Sequence, residues 1–494
     1  MADIFEGHNT EMIMIHEKLY QMDLKMSFDL LPITSISVLA LVLSSMSLII
    51  SLPQVESQSS PTFVDDKLFA EEVARSIDFP TGMAFLGPDD LLVLEQYNGT
   101  VLRIKKGTIF TTPLLDVNVG NSSERGLLGI EIMPQRTGNP FVFLYYTEAQ
   151  SNDGGKILGN RLYRYTFIDD VHGGKLLNKT LLLDLPGNTS SPTTRTIPGL
   201  EHNGGKLAIG PDNNVYLTIG DLRRKTKSQN FMSGADADGS GGILRVTPEG
   251  KAVGNGILGT THPLDKYFAY GIRNSFGIDF DPITGYLWNT ENGPAHYDEI
   301  NLVKPGFNSG WQSLMGFIGE KSLPQFGPDQ LLRMISTHLA EAINGIISRN
   351  FTHAQSHLLV ARAQLENYPI NSGLYSFDGK GVYSDPEFVW QNTVGPTAIK
   401  FHNSSKLGDE YLDRMFVGDS NTGRILSFAL NTSRTGLDLS GNLSDNVANS
   451  IDETNPVLFG SGFGVVTDLV VGPDGHLYVL RWDTGTIYRI MYKL

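Results

Sequence analysis

Hydrophobic and polar positions along this chain repeat one short plan. The segments GPDDLLVLEQYNGTVLRI (87–104), GPDNNVYLTIGD (210–221), DPITGYLWNTENG (281–293) and GPDGHLYVLRWDTGTIYRI (472–490) each pass from a Pro-Asp or similar tight turn into an alternating apolar strand and a polar corner. A second short strand often follows, and FVGDSNTGRILSF (416–428) fits the later half of the same plan. Period-2 alternation bounded by Gly, Pro, Asn and Asp predicts strands joined by tight turns. A meander recurring about every sixty to eighty residues predicts an all-β fold, a β-propeller, whose radial packing hides sheet edges that would otherwise pair with other chains. The last strand, TIYRI, is expected to pair near the first and close the ring.

Two stretches break this rhythm. Over about 325–369, Leu332, Ile335, Leu339, Ile343 and Ile347 fall at helical spacing and LLVARAQL follows Asn350, which predicts a helical insertion between blades. His353 and His357 would share a helix face there, but no HExxH pattern or neighbouring carboxylate completes a zinc site, so they are read as surface histidines. Near the N-terminus, ITSISVLALVLSSMSLIISL (33–52) carries no charge over about the length of a bilayer-crossing helix. Lys18 and Lys25 precede it and SQSSPT (57–62) follows, the arrangement of a secretion signal or of an uncleaved anchor that would hold the protein at a membrane. The chain is therefore expected to divide into a tail and linker, 1–62, and a propeller, 63–494.

Composition narrows the class further. With 53 glycines and only 18% charged residues, the chain favours many short strands and turns over long helices. A formal net charge of -15 excludes a nucleic-acid partner, which needs clustered Lys and Arg. The absence of cysteine removes disulfides, a thiolate nucleophile and thiolate-held metals. Asn-x-Ser/Thr sequons at Asn98, Asn121, Asn178, Asn188, Asn350, Asn403, Asn431 and Asn442 fit an exported, extracellular or outer-face protein.

Candidate chemistry gathers in 199–221 and 270–311, beside glycines at strand ends. His202 precedes Gly204 and Gly205, whose lack of side chains would let a ligand approach the backbone, and Asp221 ends the next strand. A histidine oriented by a carboxylate is the usual general base near neutral pH; the alternative is a histidine bonded in a blade corner. Arg273 and Asn274 offer a cation and an amide to an anionic or quinonoid ligand. After Glu291 and Asn292, Gly293 and Pro294 could turn carbonyls toward a hard cation such as calcium, with Asp298 and Glu299 bracing the loop through backbone N–H groups.

These residues resemble the pyrroloquinoline-quinone-dependent soluble glucose dehydrogenase and aldose sugar dehydrogenase (glucose/sorbosone dehydrogenase) family. The resemblance runs from about Asp65 to the C-terminus apart from the insertion. It is carried by ERGLLGI (124–130), EHNGGKLAIGPD (201–212), TIGD (218–221), GIRNSFGIDFDP (271–282), ENGPAHYDEINLVKPGFNSGW (291–311) and DPEFVWQNTVGPTAIKF (385–401). It implies a six-bladed propeller that oxidises an aldose or similar sugar alcohol at C1 to the lactone, passes hydride to pyrroloquinoline quinone and gives electrons to an external acceptor. By the same resemblance His202 is the base and Asp221 its orienting carboxylate. Arg273, Asn274, Asn292 and Glu124 contact cofactor, Gly293 and Pro294 hold calcium, and Glu201 and Trp390 face the sugar.

Three positions depart from that pattern. Asn421 stands where the family has a lysine, and Val465 and Thr467 where it has arginines. Each lost charge-assisted contact is worth about 1.5–3 kcal/mol. A second reading therefore stands beside the enzyme: a non-catalytic extracellular binding propeller, resembling the hedgehog-interacting proteins. A metal-dependent lactonase-type propeller is a third, and would need carboxylates converging on the central channel.

Overall fold

The structure is a computed structural model that describes residues 60–187, 202–317 and 374–493. The apolar run 33–52, the insertion near 325–369 with His353 and His357, and Glu201 lie outside the described residues. Among the described residues no helix is long and apolar enough to cross a membrane. Residues 59–494 form one compact unit.

This unit is an all-β propeller. Among the described residues its strands make six sheets, and the innermost strand of each is the first of an antiparallel meander: Pro80–Gly87, Leu127–Met133, Leu207–Ile209, Gly277–Phe280, Pro396–His402 and Val466–Val471. Each innermost strand touches the next, and Val466–Val471 returns to Pro80–Gly87. Ring closure is made outside as well as inside. Leu68–Ala74, from the start of the unit, pairs antiparallel with Thr486–Tyr492 from its end, as expected for TIYRI. Propeller geometry registers for five blades, against the six expected from the sequence. The sheets are irregular: parallel edge strands Phe307–Asn308 and Val382–Tyr383 extend the third, and bulges interrupt several inner pairings.

The core lies between sheets rather than within one. Leu92, Leu94 and Val101 of the first sheet pack with Leu144 and Tyr146 of the second, and Ala74 and Leu480 of the last pack, with Ile77 of the connecting segment, against Met83 and Val93 of the first. Second strands such as Val215–Ile219 and Leu287–Glu291 are consequently buried on both faces, polar residues included. In the first of them the Thr218 hydroxyl accepts from the N–H groups of Gly205 and Lys206 at 3.1 and 3.0 Å.

The repeated turn is built the same way twice. Gly210 N–H donates to Asn214 O and Gly472 N–H to His476 O, both at 2.9 Å, while Tyr216 and Tyr478 hydroxyls donate to Asp212 and Asp474. A Cβ on Gly210 or Gly472 would meet those tyrosine rings at 2.6 and 2.5 Å, so the glycine makes room for the ring. Because first strands leave and second strands arrive at one edge of every sheet, residues before the first and after the second gather on one face of the ring.

Candidate active site

His202 and Arg273 reach that face from the third and fourth sheets, and Gly220 shows how closely their backbones meet. A Cβ at Gly220 would lie 2.2 Å from His202 O and 2.7 Å from Arg273 O. The convergence of imidazole and guanidinium bearers on one corner, expected from the sequence, is thus present. Asp221 N–H donates to Arg273 O at 2.8 Å, tying the corner together.

His202 is buried and holds φ = 43°, a left-handed backbone uncommon for a side chain of this size. Its Nδ1 lies 2.6 Å from Asp221 Oδ1. Asp221 Oδ1 also accepts from Arg223 N–H at 2.8 Å, and Oδ2 from Trp311 Nε1 at 2.6 Å. Burial works to raise the Asp221 pKa, but His202 and Arg273 outweigh it and hold the carboxyl below its ordinary value. An ionised carboxylate only accepts, so Nδ1 carries a proton toward it, and in the neutral ring the lone pair falls on Nε2. That Nε2 is buried without a hydrogen-bond partner.

Arg273 stacks over the Trp311 ring at 5.5 Å and donates from Nη1 to Asn292 O at 2.8 Å. Its Nε is another buried atom without a partner, as are Asn203 Nδ2 and Asn292 Oδ1. Burial pulls the guanidinium pKa down, against Asp221, Glu124, Asp298 and Glu291, which raise it. Asn274 joins the third sheet to the second: its Oδ1 accepts from Gly204 N–H at 3.1 Å and its Nδ2 donates to Glu124 Oε2 at 3.1 Å. Glu124 Oε2 accepts from Asn203 N–H as well, at 3.2 Å.

The loop after Glu291 is held by carboxylates, as expected. Asp298 accepts from the N–H groups of Gly293, Val394 and Gly395 at 2.8, 2.7 and 2.7 Å, and burial lifts its pKa to about 6. Glu299 accepts from Gly316 N–H at 2.5 Å; burial and the neighbouring Glu291 push it well above the carboxylate range. Glu291 takes Arg273 N–H at 2.7 Å and the Ser309 hydroxyl at 2.6 Å, and burial raises it to about 7.

Several expectations need correction. Gly204 and Gly205 do not hold open an approach for a ligand: both have positive φ, and a Cβ on Gly205 would meet Leu128 at 2.6 Å. Gly293 serves space rather than unusual dihedrals, since its Cβ would lie 2.0 Å from His296 O. Trp390 does not face the site. It is 2% exposed inside the core between the fourth and fifth sheets, edge-on to Phe388 at 4.8 Å. No group of three or more His, Cys, Asp or Glu able to hold a metal occurs among the described residues, so a cation here would rest on carbonyls such as those of Gly293 and Pro294. A cavity of about 300 Å³ lined by Glu131, Lys206, Asp279 and Lys400 sits along the inner strands and contains none of the candidate residues.

The charge deficit persists in space. Asn421 donates to the carbonyls of Val394 and Thr393, and Thr467 to Pro80 O. Of the arginines near these corners, Arg224 is paired with Asp238, Arg481 with Asp483, and Arg424 is anchored on Ile451, Thr454 and Asn455. Arg223 is half-buried two residues from Asp221, and its guanidinium makes no hydrogen bond or ion pair among the described residues. The sequence did not single out Trp311 for the site. Trp311 was visible only as the last letter of a quoted motif.

Fold and site together define a β-propeller with an oriented histidine and a buried arginine at one mouth. Residues 77–317 match the Glucose / Sorbosone dehydrogenase family model. The chain is 31% identical over 258 residues to quinoprotein glucose dehydrogenase B of Acinetobacter calcoaceticus, covering 47% of this chain and only half of that protein's length. It is 21% identical over 418 residues to aldose sugar dehydrogenase YliI of Escherichia coli, covering 84% and 90% of the two chains. The apo-form crystal structure of the soluble Escherichia coli aldose sugar dehydrogenase superposes with a TM-score of 0.60 over 86% of this chain and 99% of that one, at 19% identity, a likeness of fold. The chain resembles the quinone-dependent glucose and aldose sugar dehydrogenases.

Proposed function

We propose that this protein is an exported, six-bladed quinoprotein that oxidises an aldose or similar sugar alcohol at C1 to the lactone. Six sheets in cyclic contact, with a core cluster between each adjacent pair, support the blade count. Export rests on the run 33–52 and the sequons.

The observation that carries the activity is the His202–Asp221 pair, with Nε2 left unpartnered beside an arginine. Buried polar atoms are nearly always bonded, so the cluster of orphans at His202, Asn203, Arg273 and Asn292 fits a polar ligand. Pyrroloquinoline quinone, when bound with calcium, would supply the hydride acceptor and its polarised carbonyl. Arg273, Asn274 and Asn292 would hold it, with Arg223 as a second cation for its carboxylates, and Gly293 and Pro294 would offer carbonyls to calcium. His202 Nε2 takes the proton of the C1 hydroxyl. Asp221 fixes the tautomer and stabilises the imidazolium formed, and Arg273 stabilises negative charge developing on the acceptor. Glu201 is the sugar-side carboxylate of this reading, Glu124 touches cofactor or substrate, and electrons leave to an external acceptor.

Purified protein supplied with calcium and the quinone, assayed by dye reduction over a panel of aldoses, tests this directly. Turnover above a His202→Ala control is expected. Failure of the quinone both to bind and to support turnover would leave the binding propeller, which the substitutions at Asn421, Val465 and Thr467 favour.

A further inference from the structure

Three aromatic rings lie together on the same face, where nothing in the proposed chemistry uses them. Phe79 precedes the innermost strand Pro80–Gly87, Tyr97 follows the second strand Asp90–Glu95, and Trp482 follows Leu477–Arg481 of the last sheet. Phe79 lies 4.7 Å from Trp482 and 5.4 Å from Tyr97, centroid to centroid, and Tyr97 lies 6.5 Å from Trp482. Phe79 is 43% exposed and holds φ = 46°, a strained position for a large side chain that gains nothing in burial from it. Tyr97 and Trp482 are half-buried.

Their polar tips are tied inward, which fixes the rings. Trp482 Nε1 donates to Gln96 Oε1 at 2.9 Å and the Tyr97 hydroxyl donates to Ser123 O at 2.8 Å. Gln96 Nε2 donates to Ser123 O and Arg125 O at 3.2 and 3.0 Å, clasping the loop on either side of Glu124. Glu124 in turn bonds Asn203 N–H and Asn274 Nδ2 through one oxygen, and its other oxygen makes no hydrogen bond among the described residues. One continuous network therefore runs from the rings through Gln96 and the 123–125 loop to the neighbour of His202.

We propose that Phe79, Tyr97 and Trp482, with Glu124, form an additional sugar subsite, so that the substrate is an oligosaccharide whose terminal ring reacts while the next rests on the aromatic platform. The proposal rests on the sugar dehydrogenase reading. Pyranose rings present C–H faces that pack on aromatic faces and hydroxyls that donate to carboxylates, and the platform offers both in one rigid unit. Charge beside the platform is mixed: Asp78 adjoins Phe79, Glu124 and Arg125 lie together on the clasped loop, and Asp483 beside Trp482 is paired with Arg481. A neutral, hydroxyl-rich ligand needs no cation there.

Calorimetric titration of the cofactor-free full chain with maltotriose, cellotriose and glucose tests the idea without turnover. Of the four tryptophans, Trp311 lies at the candidate active site and Trp288 and Trp390 are buried, so saturable quenching of indole emission that disappears in Trp482→Phe reports on Trp482. A trisaccharide is expected to bind about tenfold or more tighter than glucose, with the preference lost in Trp482→Ala and in the surface variant Phe79→Ala, and kept in Trp482→Phe and His202→Ala. In the loaded enzyme Phe79→Ala should raise KM for the trisaccharide and leave kcat, and the KM for glucose, unchanged. Equal binding by wild type and both alanine variants, or absence of trisaccharide binding, would overturn the proposal. Binding lost in Phe79→Ala but no turnover of any sugar by the wild type would overturn the dehydrogenase reading and leave the subsite standing.

Discussion

Replacing Asp221 by Asn probes the His202–Asp221 pair with almost no change of volume. The carboxylate serves three donors: His202 Nδ1 and Arg223 N–H on Oδ1, and Trp311 Nε1 on Oδ2. An asparagine has one oxygen for those three. With its oxygen at the Oδ1 position, the amide N–H₂ faces the Trp311 N–H and leaves that buried donor unpaired, at about 1–3 kcal/mol. With its oxygen toward Trp311, the N–H₂ faces His202 Nδ1, and the imidazole must accept there and carry its proton on Nε2. The base is then lost, and general-base catalysis is worth about 10²–10⁴ in rate, or about 3–5 kcal/mol of barrier. Dye-reduction kinetics with calcium and the quinone, run beside a quinone-binding titration, separate the two effects. Asp221→Asn should bind quinone within about threefold of wild type and lose at least a hundredfold in kcat. Trp311→Phe, which keeps the His–Asp bond, should melt lower and lose less than about tenfold. An Asp221→Asn enzyme turning over within about threefold of wild type, while His202→Ala collapses, would refute the orienting role.

Gly220→Ala should destabilise by about 3 kcal/mol or more and abolish activity, because its Cβ would strike the backbone oxygens of His202 and Arg273 and neither is a flexible tip; an unchanged melting temperature would contradict the packing described. Stability should fall as pH rises from about 5 to 8. Glu291 and Asp298, raised to about 7 and about 6, keep protons in the fold that the unfolded chain has already released, so the native state binds more protons across that window. Glu291→Gln, which can still bond Arg273 N–H and Ser309, should flatten that slope by up to about 3 kcal/mol in melts at the two pH values. Asp221, with its lowered pKa, acts in the opposite sense: its contribution is present above the ordinary aspartate value and is lost only as pH falls below it. Arg223→Ala should weaken quinone binding about tenfold or more by fluorescence titration with little change in melting temperature, since its guanidinium makes no hydrogen bond or ion pair among the described residues; equal affinity would remove it as a cation for the cofactor.

What the sequence disclosed was local. Turn, strand and polar corner are written within some twenty residues, and the two Tyr–Asp turns show that such a segment carries its own hydrogen bonds. The ring is not local: its cores lie between sheets, so the pattern along Val215–Ile219 could signal a strand but not that both of its faces are buried. The same limit governs the site. His202 and Asp221 sit at either end of one hairpin and could be paired from spacing, and Arg273 followed because its motif opens the next sheet. Trp390 failed for the complementary reason. It lies on Phe388–Asn392, a strand at the outer side of its sheet, far along the blade from the inner edge, and an aromatic there fills the gap to the neighbouring sheet. The rings that do reach the mouth, Phe79, Tyr97 and Trp482, come from opposite ends of the sequence. They meet only because Leu68–Ala74 closes on Thr486–Tyr492 and brings the last sheet against the first. In a closed ring, then, chemistry carried by one hairpin can be read from the chain, while a surface assembled across the closure becomes visible only once the two ends have met.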